Sequence, residues 1–203
     1  MKTRRKTTLR IAIAFSAVLL LAMTVDLPVA QGEANHVRWD IISIVFSPLT
    51  FNPGGVAFAK ADTGLMIKFT GSGIFVAPAG GGGTSSAVTG GGTWETFSPT
   101  GVPTGSGTYS VTGLVRWDLA NSQTGTPIDT IGDTNERANG TAVLRIEYSD
   151  GSHGTLVVGC HGPGAPDGIF EGVTATKGFV TYWERQAPAP GVDANRTLFH
   201  VRQ

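Results

Sequence analysis

Cys160 and His161 come nearest, among the neighbouring residues of this 203-residue chain, to a reactive pair. A thiolate stabilised by a protonated imidazole is a nucleophile. Adjacent residues on a strand point to opposite faces, however, so the pair needs a further group in space to orient a base. The competing reading is a buried, inert cysteine. Cys160 is the only cysteine, which leaves it no partner for an intramolecular disulfide. His36, His153, His161 and His200 follow no H-E-x-x-H or paired-cysteine spacing, so neither a metal nor a cofactor is expected. Asp129, Asp133 and Glu136 collect in one acidic stretch that misses the EF-hand spacing, and a solvated loop is favoured there over a calcium site. Gly80 to Gly83 lack the Lys-Ser/Thr pair that a phosphate-cradling loop needs.

A further constellation depends on one turn. Ala142 to Tyr148 and His153 to Val158 flank Ser149-Asp150-Gly151-Ser152, where Asp-Gly supplies the positive φ angles of a two-residue type I′ hairpin. Such a turn sets Tyr148 opposite His153, Ile146 opposite Thr155, Arg145 opposite Leu156 and Val143 opposite Val158. One face then carries Leu144, Ile146, Tyr148 and Val157. The other mixes Val143, Leu156, Val158 and Cys160 with Arg145 and Glu147. Inside a barrel these six residues would form a ligand site with apolar walls and two polar anchors, because buried charges must satisfy each other or a ligand. If Arg145 and Glu147 face water instead, the same strand is ordinary surface.

The elements that position these residues are strands. Gly107 to Trp117 puts Tyr109, Val111, Val115 and Trp117 on one face and Thr108, Ser110, Thr112 and Arg116 on the other, with Leu114 the apolar exception. Leu65, Ile67 and Phe69 alternate with polar neighbours after Asp62-Thr63-Gly64, a turn back to Val56 to Ala61. Val37 to Ser47 and Gly168 to Trp183 add long strand-like runs, and Thr197 to Val201 a short last one. Pro78 to Ala87 and Leu119 to Ala138 read as loops, and Glu184 to Asn195 as an extended tail. Gly71-Ser72-Gly73-Ile74-Phe75, Gly90-Gly91-Gly92-Thr93-Trp94 and Gly105-Ser106-Gly107-Thr108-Tyr109 repeat one device, in which glycine permits a bend and an aromatic covers the bare backbone. The expectation is an all-β antiparallel barrel of about eight to ten strands, with a two-sheet β-sandwich as the alternative. Trp39, Trp94, Trp117 and Trp183 suit barrel interiors better than sugar stacking.

Residues 1–32 read as a signal peptide. Lys2, Arg4, Arg5, Lys6 and Arg10 precede an uncharged run from Ile11 to Val25, and small residues follow at Ala30 and Gly32. The run is short of the roughly 20 apolar residues that cross a bilayer. Residues 33–203 then form a single all-β domain with the extended tail near its C-terminus, secreted to an extracellular or periplasmic compartment without a membrane span. Cleavage after Gly32 leaves 10 basic and 14 acidic side chains, a formal charge of −4, and 28 of the 29 glycines. No basic stripe remains to neutralise phosphates, which argues against nucleic acid as partner. Asn139-Gly140-Thr141 and Asn195-Arg196-Thr197 are formal glycosylation acceptors. Oligomeric state is not legible.

Gly168-Ile169-Phe170-Glu171-Gly172-Val173, leading through Thr174 to Gly178, resembles the glycine-phenylalanine-glycine strand of allene oxide cyclases and the related dirigent proteins. The resemblance spans about a dozen residues and implies an eight-stranded barrel that binds apolar molecules inside. It carries over no catalytic residue, because the N-terminal half has no match to the acidic and aromatic residues of the cyclase pocket. The mature chain as a whole resembles secreted bacterial proteins to which no activity is attached. The functional expectation is a secreted barrel holding a small apolar molecule, with a cyclase-like isomerase or a ligand-free structural or surface-interaction domain as alternatives. Expression in a secreting host should give a product roughly 3 kDa lighter than the full chain, beginning between Gln31 and Asn35, by N-terminal sequencing and mass measurement. An exported protein that keeps Met1 would refute the cleavage.

Overall fold

Where apolar and polar residues alternate, the chain forms strands, and glycines mark where those strands bend. The computed structural model describes residues 34–78, 83–185 and 194–202. The leader, the middle of the loop at Pro78 to Ala87 and most of the tail lie outside the described residues. Among those described are fourteen strand segments: β1 Asn35–Phe46, β2 Leu49–Pro53, β3 Ala57–Lys60, β4 Met66–Phe69, β5 Ser72–Ala77, β6 Val88–Phe97, β7 Pro103–Ser122, β8 Ile128–Asp129, β9 Arg137–Tyr148, β10 His153–Cys160, β11 Gly172–Lys177, β12 Val180–Tyr182, β13 Glu184–Arg185 and β14 Arg196–Arg202. That exceeds the eight to ten expected, because several apolar runs are cut by turns and two segments are only two residues long.

Six of these strands close a barrel in the order β9, β14, β1, β5, β6, β7 and back to β9, every pair antiparallel. The remaining strands use edges that the six leave over. Beyond the reach of β14, the free edge of β9 carries β10, then β11 and β12. Beyond the reach of β5, β6 carries β4, then β3 and β13. These two wings curl until β11 lies beside β3. The turn at Asp62 to Gly64 joins β3 to β4 as expected, with Gly64 N donating to Ala61 O at 2.8 Å. β8 pairs in parallel with β2 on the outside.

β7 and β9 show how the sequence rule bends. Their register slips by one residue at each of three places, skipping Thr112, Val115 and Ala120. Each extra residue is a bulge that turns the following side chains to the other face. Leu114 thereby points inward against Leu144 and is fully buried, although simple alternation put it outside.

One continuous core fills both barrel and wings. Trp39, Phe75, Trp117 and Phe199 pack within the six-stranded part, where the Trp117 and Phe199 rings meet edge to face at 4.6 Å. Phe69, Trp94, Tyr109 and Tyr148 continue it between the wings. The repeated glycine and aromatic groups meet across strands. The Tyr109 hydroxyl sits where a side chain on Gly71 would go, and the Trp94 ring covers Gly105 and Gly107. Trp183 is the exception among the tryptophans, exposed and donating to Asp62.

Two expectations near the C-terminal strand need correction. Gly168 to Phe170 form a turn and an irregular segment, and the strand starts only at Gly172. Gly168 is left-handed at this turn, and Glu171, at the bend before the strand, places its carboxylate on the backbone N–H groups of His161 and Thr197. Leu119 to Ala138 is also not all loop, since β7 runs to Ser122 and β8 intervenes.

Gly71 has φ +149°, and an added Cβ would stand 2.3 Å from the Tyr109 hydroxyl and 2.6 Å from Gly91 O. Gly71→Ala should therefore lower unfolding free energy by roughly 2–4 kcal/mol. Gly151 has φ +82° with open space around it, so Gly151→Ala should cost only about 1–2 kcal/mol. Denaturant midpoints of the two variants compare them directly. An equal loss would mean that strand-crossing contacts do not control the bend.

Candidate functional site

The Asp150-Gly151 hairpin governs where the six sequence-predicted site residues fall. Tyr148 O accepts from Gly151 N at 2.9 Å, and Tyr148 N donates to Ser152 O at 2.9 Å. The loop is therefore three residues, Ser149 to Gly151, with Gly151 left-handed, and not the two-residue I′ turn. The register becomes Glu147 opposite His153, Arg145 opposite Thr155 and Leu144 opposite Leu156. A one-residue slip carries one strand's residues to the opposite face. Leu156, Val158 and Cys160 join Leu144, Ile146 and Tyr148 in the buried core, whereas Val143, Arg145 and Glu147 share the outer face with Val157. Arg145 and Glu147 are exposed, with no ion pair between them among the described residues. They border two shallow clefts on the outer wall instead.

Cys160 and His161 do not make a reactive pair. The thiol donates to Thr197 O at 3.2 Å and accepts from Gln123 Nε2 at 3.2 Å, while His161 Nδ1 meets Ile169 O at 2.7 Å. Burial pushes the thiol pKa well up, and nearby Glu171 adds to the shift. A buried neutral thiol is a poor nucleophile. Asn139 is fully buried too, with its amide bonded to Asn121 and to Gly162 N, so this sequon is closed in the folded protein.

A candidate site that sequence reading missed lies outside, where β2, β8 and the segment to Glu136 fold over the outer face of β1 and β14. Ile42, Phe51 and Leu198 form a second small core there, joined by Ile44 and Ile131. Asp129 anchors the covering segment. Its Oδ1 accepts from Ile131 N at 2.9 Å and Gly132 N at 3.2 Å, and its Oδ2 meets His200 Nε2 at 2.9 Å. Both side chains of this pair are almost wholly buried. Gly132 lies over the imidazole so closely that an added Cβ would stand 2.8 Å from the ring. Asp133 caps the turn Thr134–Glu136 through Asn135 N, and Glu136 pairs with Arg202 at 3.0 Å. The three acids of the expected solvated loop thus have three separate structural partners. Among the described residues no three His, Cys, Asp or Glu side chains converge as metal ligands would.

Beside this segment opens a cleft of about 460 Å³, lined by His36, Arg38, Ile74, Ile131, Gly132, Glu136, His200 and Arg202. Its size falls within the range of small-molecule sites. Arg38 grips Asp40 with Nε and Nη2 at 2.7 and 2.9 Å, and Nη1 donates to Ile131 O at 3.2 Å. The Asp40 hydrogen bonds hold the Arg38 guanidinium above its ordinary pKa. Arg137, behind the covering segment, is buried with Nη1 unpartnered, and desolvation lowers its pKa. His200 Nδ1 is likewise buried without a partner. With one imidazole nitrogen on Asp129 and the other shut from solvent, the pair is built to hold a segment in place and not to pass protons to a bound molecule. The sequence signal for this site was a basic residue every second position, His36-x-Arg38 on β1 and His200-x-Arg202 on β14, set side by side by the strand pairing.

No family model, curated protein or solved structure matches the chain.

Asp129→Ala removes the acceptor for two backbone N–H groups and one buried imidazole. It should cost roughly 3 kcal/mol in denaturant unfolding, whereas Arg145→Met on the open face should change stability by under about 0.5 kcal/mol. A large Arg145→Met effect would return that residue to the interior, and a negligible Asp129→Ala effect would remove the anchor.

Proposed function

We propose that this chain is an exported β-barrel binding module whose ligand site lies on the outer wall of the barrel, in the cleft between β5, β1, β14 and the segment anchored by Asp129. The observation that carries the reading is the filled interior: Trp39, Phe75, Trp117, Phe199 and Leu114 occupy the six-stranded part. A barrel of so few strands is too narrow to enclose both its own side chains and a guest. The outer cleft, by contrast, brings charged and apolar groups together around open space. An isomerase or cyclase of the kind suggested by the resemblance would need polar side chains converging in the lumen. Among the described residues the polar groups of the core include the Tyr109 and Tyr148 hydroxyls, the Trp94 indole and the Cys160 thiol, each already bonded to a backbone carbonyl, the Tyr182 hydroxyl, and the unpartnered indole N–H groups of Trp39 and Trp117.

Those two indoles supply the control for the test. Amide and indole resonances of the labelled protein would be followed while a fragment library is titrated. Shifts confined to Ile74, Ile131, Gly132 and Arg202 would support the outer site. Shifts at the Trp39 and Trp117 indoles would overturn it in favour of a lumen that takes an apolar molecule. An absence of any saturable shift would leave a packed structural domain.

A further inference from the structure

We propose that the outer cleft takes a small amphipathic carboxylate, an anionic head joined to an apolar body; the inference rests on the outer-wall reading of the site. The carboxylate preference follows from which half of each ion pair is the more exposed. In the Arg38–Asp40 pair the arginine side chain is 40% exposed and the aspartate 2%. In the Arg202–Glu136 pair the arginine is 72% exposed and the glutamate 23%. Each acid is the more covered partner: Asp40 lies behind the wall, and Glu136, which also lines the cleft, is far less open than Arg202, so the two guanidinium groups are the more accessible charges there. Close range decides the outcome, since water and salt screen charges beyond about 10 Å.

The guanidinium groups have donors to spare. An arginine carries five N–H groups in a planar fork. Arg38 uses three of them, two on Asp40 and one on Ile131 O, which leaves one hydrogen on each terminal nitrogen. Arg202 uses Nε on Glu136, and among the described residues no other acceptor meets its terminal nitrogens. A carboxylate could therefore be bound bidentately without breaking either pair. His36, exposed on the same wall, offers an imidazole N–H donor. The apolar half of the preference comes from Ile74, which is 46% exposed beside these charges, and from half-buried Ile131 across the cleft. A bare inorganic anion would leave that side of the cleft unused.

The test uses the exported protein and three titrants: 4-phenylbutyrate, its neutral amide, and inorganic phosphate. Calorimetry with chemical-shift mapping should show 4-phenylbutyrate saturating one site at Ile74, Ile131 and Arg202. The amide and phosphate should each bind at least about tenfold more weakly, a difference of one decade in Kd. Arg202→Gln, on a largely exposed side chain, should weaken 4-phenylbutyrate by about tenfold while leaving the far-ultraviolet dichroism unchanged. Equal binding of the amide, or no effect of Arg202→Gln, would overturn the carboxylate preference while shifts at the cleft still upheld the outer site. Phosphate binding as tightly as 4-phenylbutyrate would overturn the apolar half. If none of the three titrants moves a cleft resonance, this inference falls, and if the fragment library also leaves the cleft silent, the outer site falls with it.

Discussion

Six strands make a narrow tube, and closing so narrow a tube forces the sheet to bend hard within a few residues. Backbone segments then approach one another closely, and at those points a Cβ has no room. Gly73 faces Thr89 O and the Trp39 indole, and Gly92 faces Thr70 O, each at distances no side chain tolerates. The bends are tolerable only because large aromatics from neighbouring strands fill the space the glycines leave. Trp94 over Gly105 and Gly107, and Tyr109 against Gly71, exclude water from exposed backbone. Glycine content and aromatic burial are thus two halves of one requirement.

Closure has a second consequence, on the outside. Strands that serve the barrel at one end have free edges at the other, and β9 and β6 use theirs to grow the wings of β10 to β12 and β4 to β3. The outer face of β1 and β14 is covered differently, by a segment with little regular structure of its own. That segment contributes few apolar side chains, chiefly Ile131, which packs against the small core of Ile42, Leu198 and Phe51 of β2. Its position therefore rests on polar contacts: Asp129 on His200, Thr130 on Phe51 O, Arg38 on Ile131 O. Such contacts are strong only where water is kept out, which explains why Asp129 and His200 are buried together.

Much of the fold was legible because its local rules are strong. Period-two alternation gave the strands, Asp62-Thr63-Gly64 gave a hairpin, and the glycine-aromatic groups marked bends in a curved sheet. The errors arose where one residue changes the phase. Asp150-Gly151 suits a two-residue turn, but it equally fits a three-residue loop ending in a left-handed glycine, and the difference exchanges the faces of β9 and β10 relative to each other. The bulges at Thr112 and Val115 act alike on β7, and no composition marks them. The outer cleft was harder still to see. Its residues come from β1, β5, β14 and the segment near Asp129, and each alone reads as an ordinary surface charge or apolar residue.

A filled interior also separates the residues that pack the core from those that shape the outer wall. In a wide barrel the inward positions serve both packing and recognition, so each constrains the other. Here the inward positions of β1 and β14, Val37, Trp39 and Phe199, serve packing, while the outward positions, His36, Arg38, His200 and Arg202, face a cleft or its wall. Alternation along the same two strands separates the two tasks. A substitution at Arg202 alters the cleft without opening a cavity in the core, because the next residue inward, Val201, belongs to the other face. His200 is the one outward residue bound to both tasks. It borders the cleft while its side chain stays almost wholly buried, and its bond to Asp129 fixes the segment that forms the cleft's far wall, so the shape of the cleft depends on a buried pair.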